Sequence, residues 1–348
     1  MASAACALVF FTALAAGLHA PSEVDPHTSP NLTLCFQDAT HWEAFKTDHQ
    51  KEFASFEEES RRFGVFLKNM DLARELNAKY NGSATFGVTK FSDMTQDEFI
   101  EAYLRPDEAA SVLDPEIKYS DDADLPNNEG QGWCGDERFC DWRQRGLSLN
   151  VKDQGNCKAD YAFATVGAIE AHAKLRLNRD FDLSEQQIID CAGQYGCRGG
   201  SVRSTYQWVK SNGLSIQSAY PFLRHDGQCH QASGPKINLQ YFKPVKPCTT
   251  ALRNHVRKLG PITISIDAKT QPGYHLWRSG ILENCRGAVN HNVVVIGYGS
   301  ENGKDYWLIK NSWGRSWGEN GYGKVIKNTQ DTCGAVSQAF YPINPWVQ

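Results

Sequence analysis

Residues 293–299 read Val-Val-Val-Ile-Gly-Tyr-Gly, a β-branched run with turn residues close behind it. Asn302-Gly303 follows, a dipeptide that favours a two-residue hairpin turn because both positions tolerate positive φ. Tyr306-Trp307-Leu308-Ile309 supplies the returning strand. Folding the chain about residue 302 pairs positions whose numbers sum to about 604, within a residue or two. That register brings His291 close to Asn311. An imidazole beside a carboxamide is held in one orientation, and with a nucleophile such a pair makes a hydrolytic site.

The chain has 348 residues, room for about two domains. A net charge of −4 suits a general nucleic-acid binder poorly, since that role needs a basic surface to release counterions. No apolar run reaches the ~20 residues that cross a bilayer, so no membrane-spanning role is expected. Ala4–Ala16 is uncharged and apolar, with small residues and Pro21 behind it, so residues 1–20 read as a secretory signal. Secretion gives meaning to two glycosylation sequons, Asn31-Leu32-Thr33 and Asn81-Gly82-Ser83. It also suits the cysteines: of the 11, Cys6 lies within the signal stretch, and the spread of the others suits disulfides. No Cys-x2-Cys pair occurs, and neither a metal nor a cofactor is expected.

From His41 to Tyr80 the pattern is helical: Phe53, Phe56, Phe63, Phe66, Met70, Ala73, Leu76 and Tyr80 share one face, and Asn81-Gly82 ends the run. Residues 86–91 read as a short strand, and Thr95 with Glu98 forms a capping box for a second helix. From Asp107 to Glu129 acids and prolines dominate, the composition of a linker. A further helix is expected over residues 159–178, with Ala162, Val166, Ile169, Ala173 and Leu177 as its buried stripe.

Papain and the cathepsins carry Cys-Gly-[Ser/Ala]-Cys-[Trp/Tyr] near the mature N-terminus, with His and Asn about 130–150 residues downstream. Here Gln154-Gly155-Asn156-Cys157-Lys158-Ala159-Asp160-Tyr161 stands at that place, and His291 and Asn311 follow at about those distances. Asn311-Ser312-Trp313-Gly314 and Cys197-Arg198-Gly199-Gly200 resemble the family's asparagine and glycine motifs. In front, Glu58, Arg62, Phe66, Asn69 and Asn77, then Gly87, Phe91 and Asp93, resemble its propeptide motifs, with Ala73 for Ile and Thr89 for Asn. The sequence thus resembles the cathepsin L-like papain family over nearly its whole length. Its Cys191…Cys197 region and the cysteines near Cys134 also resemble mite group 1 allergens.

The resemblance implies an α+β fold. An inhibitory propeptide and acidic linker would occupy residues 21–125. A two-subdomain mature part would occupy 126–348, helical to about 235 and antiparallel, barrel-like β beyond it. It implies disulfides Cys157–Cys197, Cys191–Cys229 and Cys285–Cys333. Cys248 is left to pair with Cys134 or Cys140, and Cys35 is left over. Gln154 would serve the oxyanion hole, Asp160 would stand at the nucleophile position, and His291 and Asn311 would complete the catalytic set. Gly199, Gly200, Trp313 and Gln338 would contact substrate. Lys158, Arg198 and Arg203 would line the cleft, where the acidic linker could latch onto them.

At the nucleophile position the family needs a thiolate activated by a helix N-terminus and an imidazolium. A carboxylate suits that electrostatic seat, but it is a weak nucleophile toward an amide and its adduct would be an anhydride. Cys157 lies three residues too early, and its implied disulfide removes its thiol. The expectation is therefore a secreted, or endosomal or lysosomal, monomeric pseudoprotease. It would hold its own propeptide, peptides, proteins or cystatin-like inhibitors in the cleft. Two other readings stay open: hydrolysis by an atypical Asp160–His291 mechanism, and a structural, storage-like or antigenic protein.

Overall fold

A computed structural model describes residues 30–106, 118–126, 133–147, 149–286, 288–328, 330–331 and 333–348. The expected signal segment, the side chains of Asn31 and Cys35, and most of the acidic stretch lie outside the described residues. Two compact units are present: the chain through Phe99 together with Gly273–Gly280, and Ile100–Pro272 together with Ile281–Gln348. Within the second unit, buried Ser120 forms a parallel bridge with Val245, and its N–H donates to the Pro244 carbonyl at 2.8 Å. A charge-rich stretch thus joins the second unit through its backbone, a contact composition does not report.

In the first unit, helix α1 (Pro30–Asp48) and helix α2 (Phe56–Tyr80) replace the single helix expected from residue 41. The break follows from Gln50 at φ 50° and from Ser55, which caps α2 by accepting from the Glu58 N–H. Phe53 falls in the break and stacks on Trp42, while Phe56 is 56% exposed and so leaves the expected stripe. Trp42, Phe45, Phe63 and Phe66 form a buried aromatic cluster. Asn81 ends α2 in a left-handed conformation with its side chain exposed.

The polar motif residues of α2 hold the segment that follows. Asn77 brackets Phe86, donating to its carbonyl at 2.9 Å and accepting from its N–H at 2.8 Å. This sets strand β1 (Ala84–Phe86), shorter than the strand expected over 86–91, against Trp277–Gly280. Asn69 Nδ2 donates to the carbonyls of Ser92 and Met94, and Arg62 donates to the carbonyl of Asp93 and pairs with Glu58 and Glu98. Thr95 and Glu98 exchange both capping-box bonds at the start of helix α3 (Gln96–Tyr103).

In the second unit, helices α4 (Asp160–Leu177), α5 (Glu185–Cys191) and α6 (Val202–Asn212) precede most of the sheet. Helix α7 (Thr249–Leu259) lies within the stretch expected to be β. The strands are β2 (Cys140–Asp141), β3 (Leu214–Ser215), β4 (Lys236–Pro244), β5 (Ile262–Ile266), β6 (Trp277–Leu282), β7 (His291–Glu301), β8 (Lys304–Lys310), β9 (Tyr322–Ile326) and β10 (Ala339–Val347). Residues 281–282 of β6 pair with β9 in parallel, and the order β9-β8-β7-β5-β10-β4-β3 continues antiparallel, with β2 on β7. The buried face of α4, including Ala162, Val166 and Ile169, packs with Ile188, Tyr206, Val209 and Leu239. Among the described residues, no helix is long and apolar enough to cross a membrane.

Cys157–Cys197, Cys191–Cys229 and Cys285–Cys333 are bonded. Cys134 bonds Cys140 and not Cys248, which is exposed and free at the start of α7. Those partners lie six residues apart, and a turn brings them together: Asp136 accepts from the N–H groups of Arg138 and Phe139.

Lys152 fastens the segment that leads into α4. Its ammonium reaches Glu170 on α4 at 2.9 Å, Glu185 on α5 at 2.8 Å and the Leu183 carbonyl at 2.9 Å. Burial would lower its pKa, yet Glu185 and Glu170 outweigh burial and raise it.

Two expectations follow. Asn69→Ala leaves two carbonyls without their donor and should lower the stability of the first unit by about 1–3 kcal/mol, read by hydrogen exchange in α2. Lys152→Met leaves two buried carboxylates without their cation and should cost the second unit about 3–5 kcal/mol, seen as a lower thermal midpoint.

Candidate active site

The turn before α4 is pinned twice: Cys157 is bonded to Cys197, and the Lys158 N–H donates to the Cys197 carbonyl at 2.9 Å. Gly155, at φ 58°, lets the chain reverse there, and its N–H donates to Asp153. Ala159 is the N-cap, so Asp160 is the first residue of the helix and not its cap. An acid in the first turn faces the positive end of the helix dipole, worth about 0.3–1 kcal/mol.

Asp160 is fully buried. Arg105 Nε lies 3.1 Å from its Oδ1 and 3.2 Å from its Oδ2. Oδ2 also accepts from the Asn292 N–H at 2.8 Å and from His291 Nδ1 at 3.1 Å, and Oδ1 from Asn292 Nδ2 at 3.3 Å. Burial pushes this carboxyl upward, but the Arg105 charge and the His291 and Asn292 hydrogen bonds win and hold it below the usual carboxylate range. It is an ionised group whose oxygens are fully engaged.

His291 opens β7, and Asn311 directly follows β8. The ladder pairs Val294 with Lys310 and Val295 with Ile309, then shifts by one at a bulge before Gly297. His291 and Asn311 thus meet just past the ladder's end, with Nε2 2.8 Å from Asn311 Oδ1. The Ser312 N–H donates to that same oxygen at 2.7 Å, which fixes the amide's orientation. The imidazole therefore meets an oxygen at each ring nitrogen. Trp313 stacks on the ring, with centroids 4.5 Å apart.

Gln154 is buried beside this pair. Its N–H donates to the Ser312 carbonyl, its Oε1 accepts from Ser312 Oγ at 2.6 Å, and its Nε2 donates to the Cys157 carbonyl at 2.9 Å. The glycine motif lies against the same region. A Cβ on Gly200 would fall 2.6 Å from the Tyr161 ring, so that backbone can approach only without a side chain. Gln338 accepts from Ser265 Oγ and lines a cavity of about 210 Å³ with Val202, Asn292, Ala339 and Arg105. The sequence-nominated residues Gln154, Asp160, His291, Asn311 and Trp313 are thus drawn into one cluster. Gly200 packs against the Tyr161 ring next to Asp160 in sequence, Gly199 lies against the Arg105 stem, and Gln338 stands at the neighbouring cavity. Among the described residues, no group of three or more His, Cys, Asp and Glu could hold a metal ion.

Arg105 and Asn292 were not foreseen. Asn292 had no signal beyond following the histidine. Arg105 had one: a buried acid needs a cation, and Arg105 is the last residue but one before the acidic stretch begins. The expected latch of linker acids on Lys158, Arg198 and Arg203 is not what the described acids form. Asp122 accepts from Asn254 and Asp124 pairs with Lys243, while the acids at 107–116 and Glu129 lie outside the described residues. The charge contact found here has the opposite polarity, an arginine on Asp160.

Comparison with known proteins gives this cluster its setting. The papain family cysteine protease profile matches residues 137–343, and the cathepsin propeptide inhibitor domain (I29) matches residues 42–99. A cathepsin L-like proteinase of Phaedon cochleariae is 34% identical, covering 88% of this chain and 94% of its own. Digestive cysteine proteinase 1 of Homarus americanus is 35% identical, covering 86% and 94%. The structure of digestive procathepsin L2 proteinase from Tenebrio molitor superposes with a TM-score of 0.77 at 32% identity, covering 88% of this chain and all of that one. A structure of mite allergens at 23% identity, TM-score 0.71, shares the fold. By the profile, the identities and the shared fold, this chain belongs to the papain family of cysteine peptidases, with a cathepsin-type propeptide before the peptidase domain.

Proposed function

We propose that this chain is a papain-family homologue that binds in its cleft without cutting, because Asp160 stands where the family's attacking cysteine belongs. The observation that carries the reading is the engagement of both Asp160 oxygens by Arg105, His291 and Asn292. A nucleophile needs a lone pair free to attack, and an ionised carboxylate so held has its lone pairs committed. The neighbouring thiol of Cys157 is consumed by its disulfide to Cys197. In serine proteases, loss of the nucleophile leaves only about 10³–10⁴-fold catalysis over water.

The occupants of such a cleft are peptide segments, beginning with the chain's own propeptide and extending to peptide, protein or cystatin-like ligands. In this reading residues 1–20 direct secretion or delivery to endosomes and lysosomes, Asn81 carries glycan at its exposed turn, and the mature part begins near residue 126. The preserved His291–Asn311 geometry favours one other reading, hydrolysis in which Asp160 acts as base toward water. The depressed pKa of Asp160 argues against it, since a weak base takes a proton from water poorly.

The test is turnover of peptide-amide substrates by the processed protein. No turnover beyond the residual level is expected, and Asp160→Cys should gain cleavage that a thiol-alkylating reagent abolishes. Wild-type turnover at an enzyme-like rate, lost on Asp160→Asn, would establish the second reading instead.

A further inference from the structure

We propose that Asp160, with the cleft around it, is a binding site for an arginine side chain, and that Arg105 is its resident occupant. The proposal rests on the reading above, that the cleft holds peptides without cutting them, and it names which peptides.

The seat is built for a guanidinium. The donor to Asp160 is Nε, which reaches both carboxylate oxygens. Lysine has a methylene at that position and would put carbon against the carboxylate. The aliphatic stem is also accommodated: a Cβ built on Gly199 would lie 3.5 Å from Arg105 Cγ and Cδ, so the stem passes over bare backbone. The Arg105 side chain is only 3% exposed.

The segment carrying the arginine is held as a bound peptide is held. The Arg105 N–H donates to the Asn290 carbonyl at 3.0 Å, and Tyr103 meets Trp313 edge-on with centroids 6.4 Å apart. Residues 100–106 fall between the two family matches, at 42–99 and 137–343, so neither match includes the arginine itself. The ligand class is therefore a peptide that presents an arginine, with an aromatic residue two positions before it.

The site also tolerates being emptied. When the guanidinium leaves, Asp160 keeps its hydrogen bonds to His291 and to the Asn292 N–H, so its oxygens are not left without partners. The cavity of about 210 Å³ that Arg105 lines gives the departing side chain, and a replacement, a way through.

The experiment uses the full chain with Arg105→Ala and ethylguanidinium, which replaces the atoms removed. Ethylurea, neutral and of the same shape, and n-propylammonium are the comparison probes. Ethylguanidinium should raise the thermal midpoint of Arg105→Ala saturably, by about 2–4 °C at a few-fold excess over Kd. It should not do so for wild type or for Arg105→Ala with Asp160→Asn. An equal shift with ethylurea or n-propylammonium, a shift that survives Asp160→Asn, or no saturable shift would overturn the proposal.

Should Arg105→Ala not fold, Arg105→Lys is compared with wild type in the Asp160 and Asp160→Asn backgrounds. Arginine should be preferred only where Asp160 is present. An arginine preference of the same size in both, or none in either, would also overturn it. Peptide turnover is measured separately: cleavage would remove the pseudoprotease reading, whereas failed ethylguanidinium binding without cleavage removes only the arginine assignment.

Discussion

A carboxylate in the first turn of α4 lies wholly out of water, and an ionised group in that position survives only if its neighbours replace its hydration. Arg105 does so from the segment after α3, and His291 and Asn292 do so side by side from the start of β7. The rest of the site is organised around keeping those groups at hand. The Cys157–Cys197 bond fixes where the helix begins, the hairpin fixes where His291 stands, and Gln154 and Ser312 tie the two together. Lys152, anchored on Glu170 and Glu185, holds the strand of chain that delivers Gln154.

If Asp160 stands where the family's cysteine belongs, as proposed, the same arrangement lets a peptidase scaffold lose its chemistry and keep its shape. A helix N-terminus beside an imidazole favours any anion. In a cysteine peptidase that preference depresses a thiol pKa; with aspartate in place it stabilises a group that has no sulfur to attack with. The Asn311 amide and the Trp313 face still orient His291. In this account they position a hydrogen-bond partner for a carboxylate and no longer a base for a nucleophile.

Much of this was legible in residue order. The His291–Asn311 contact follows from strand alternation and one Asn-Gly turn, and the true register departs from the symmetric one only at the bulge before Gly297. The capping box at Thr95 and Glu98 is a local signal, and local signals survive folding. What failed was less local. The stripe from Phe53 to Tyr80 keeps helical spacing across a break, because periodicity is blind to a left-handed residue such as Gln50. Cys134 and Cys140 meet through a turn whose geometry their spacing does not reveal. Arg105 was passed over because the acidic residues after it drew the electrostatic argument toward the wrong sign of charge.

The most direct measurement is a pH titration of the Asp160 carboxyl carbon by NMR in the folded full chain. A carboxyl held below its ordinary value contributes stability that is complete above about pH 3.9 and is lost as pH falls through the lower folded value. The account predicts an ionised Asp160 throughout the range above that ordinary value, with a midpoint below it that rises when Arg105 is replaced by alanine. A carboxyl that is still protonated at pH 6 in the wild-type chain would contradict it.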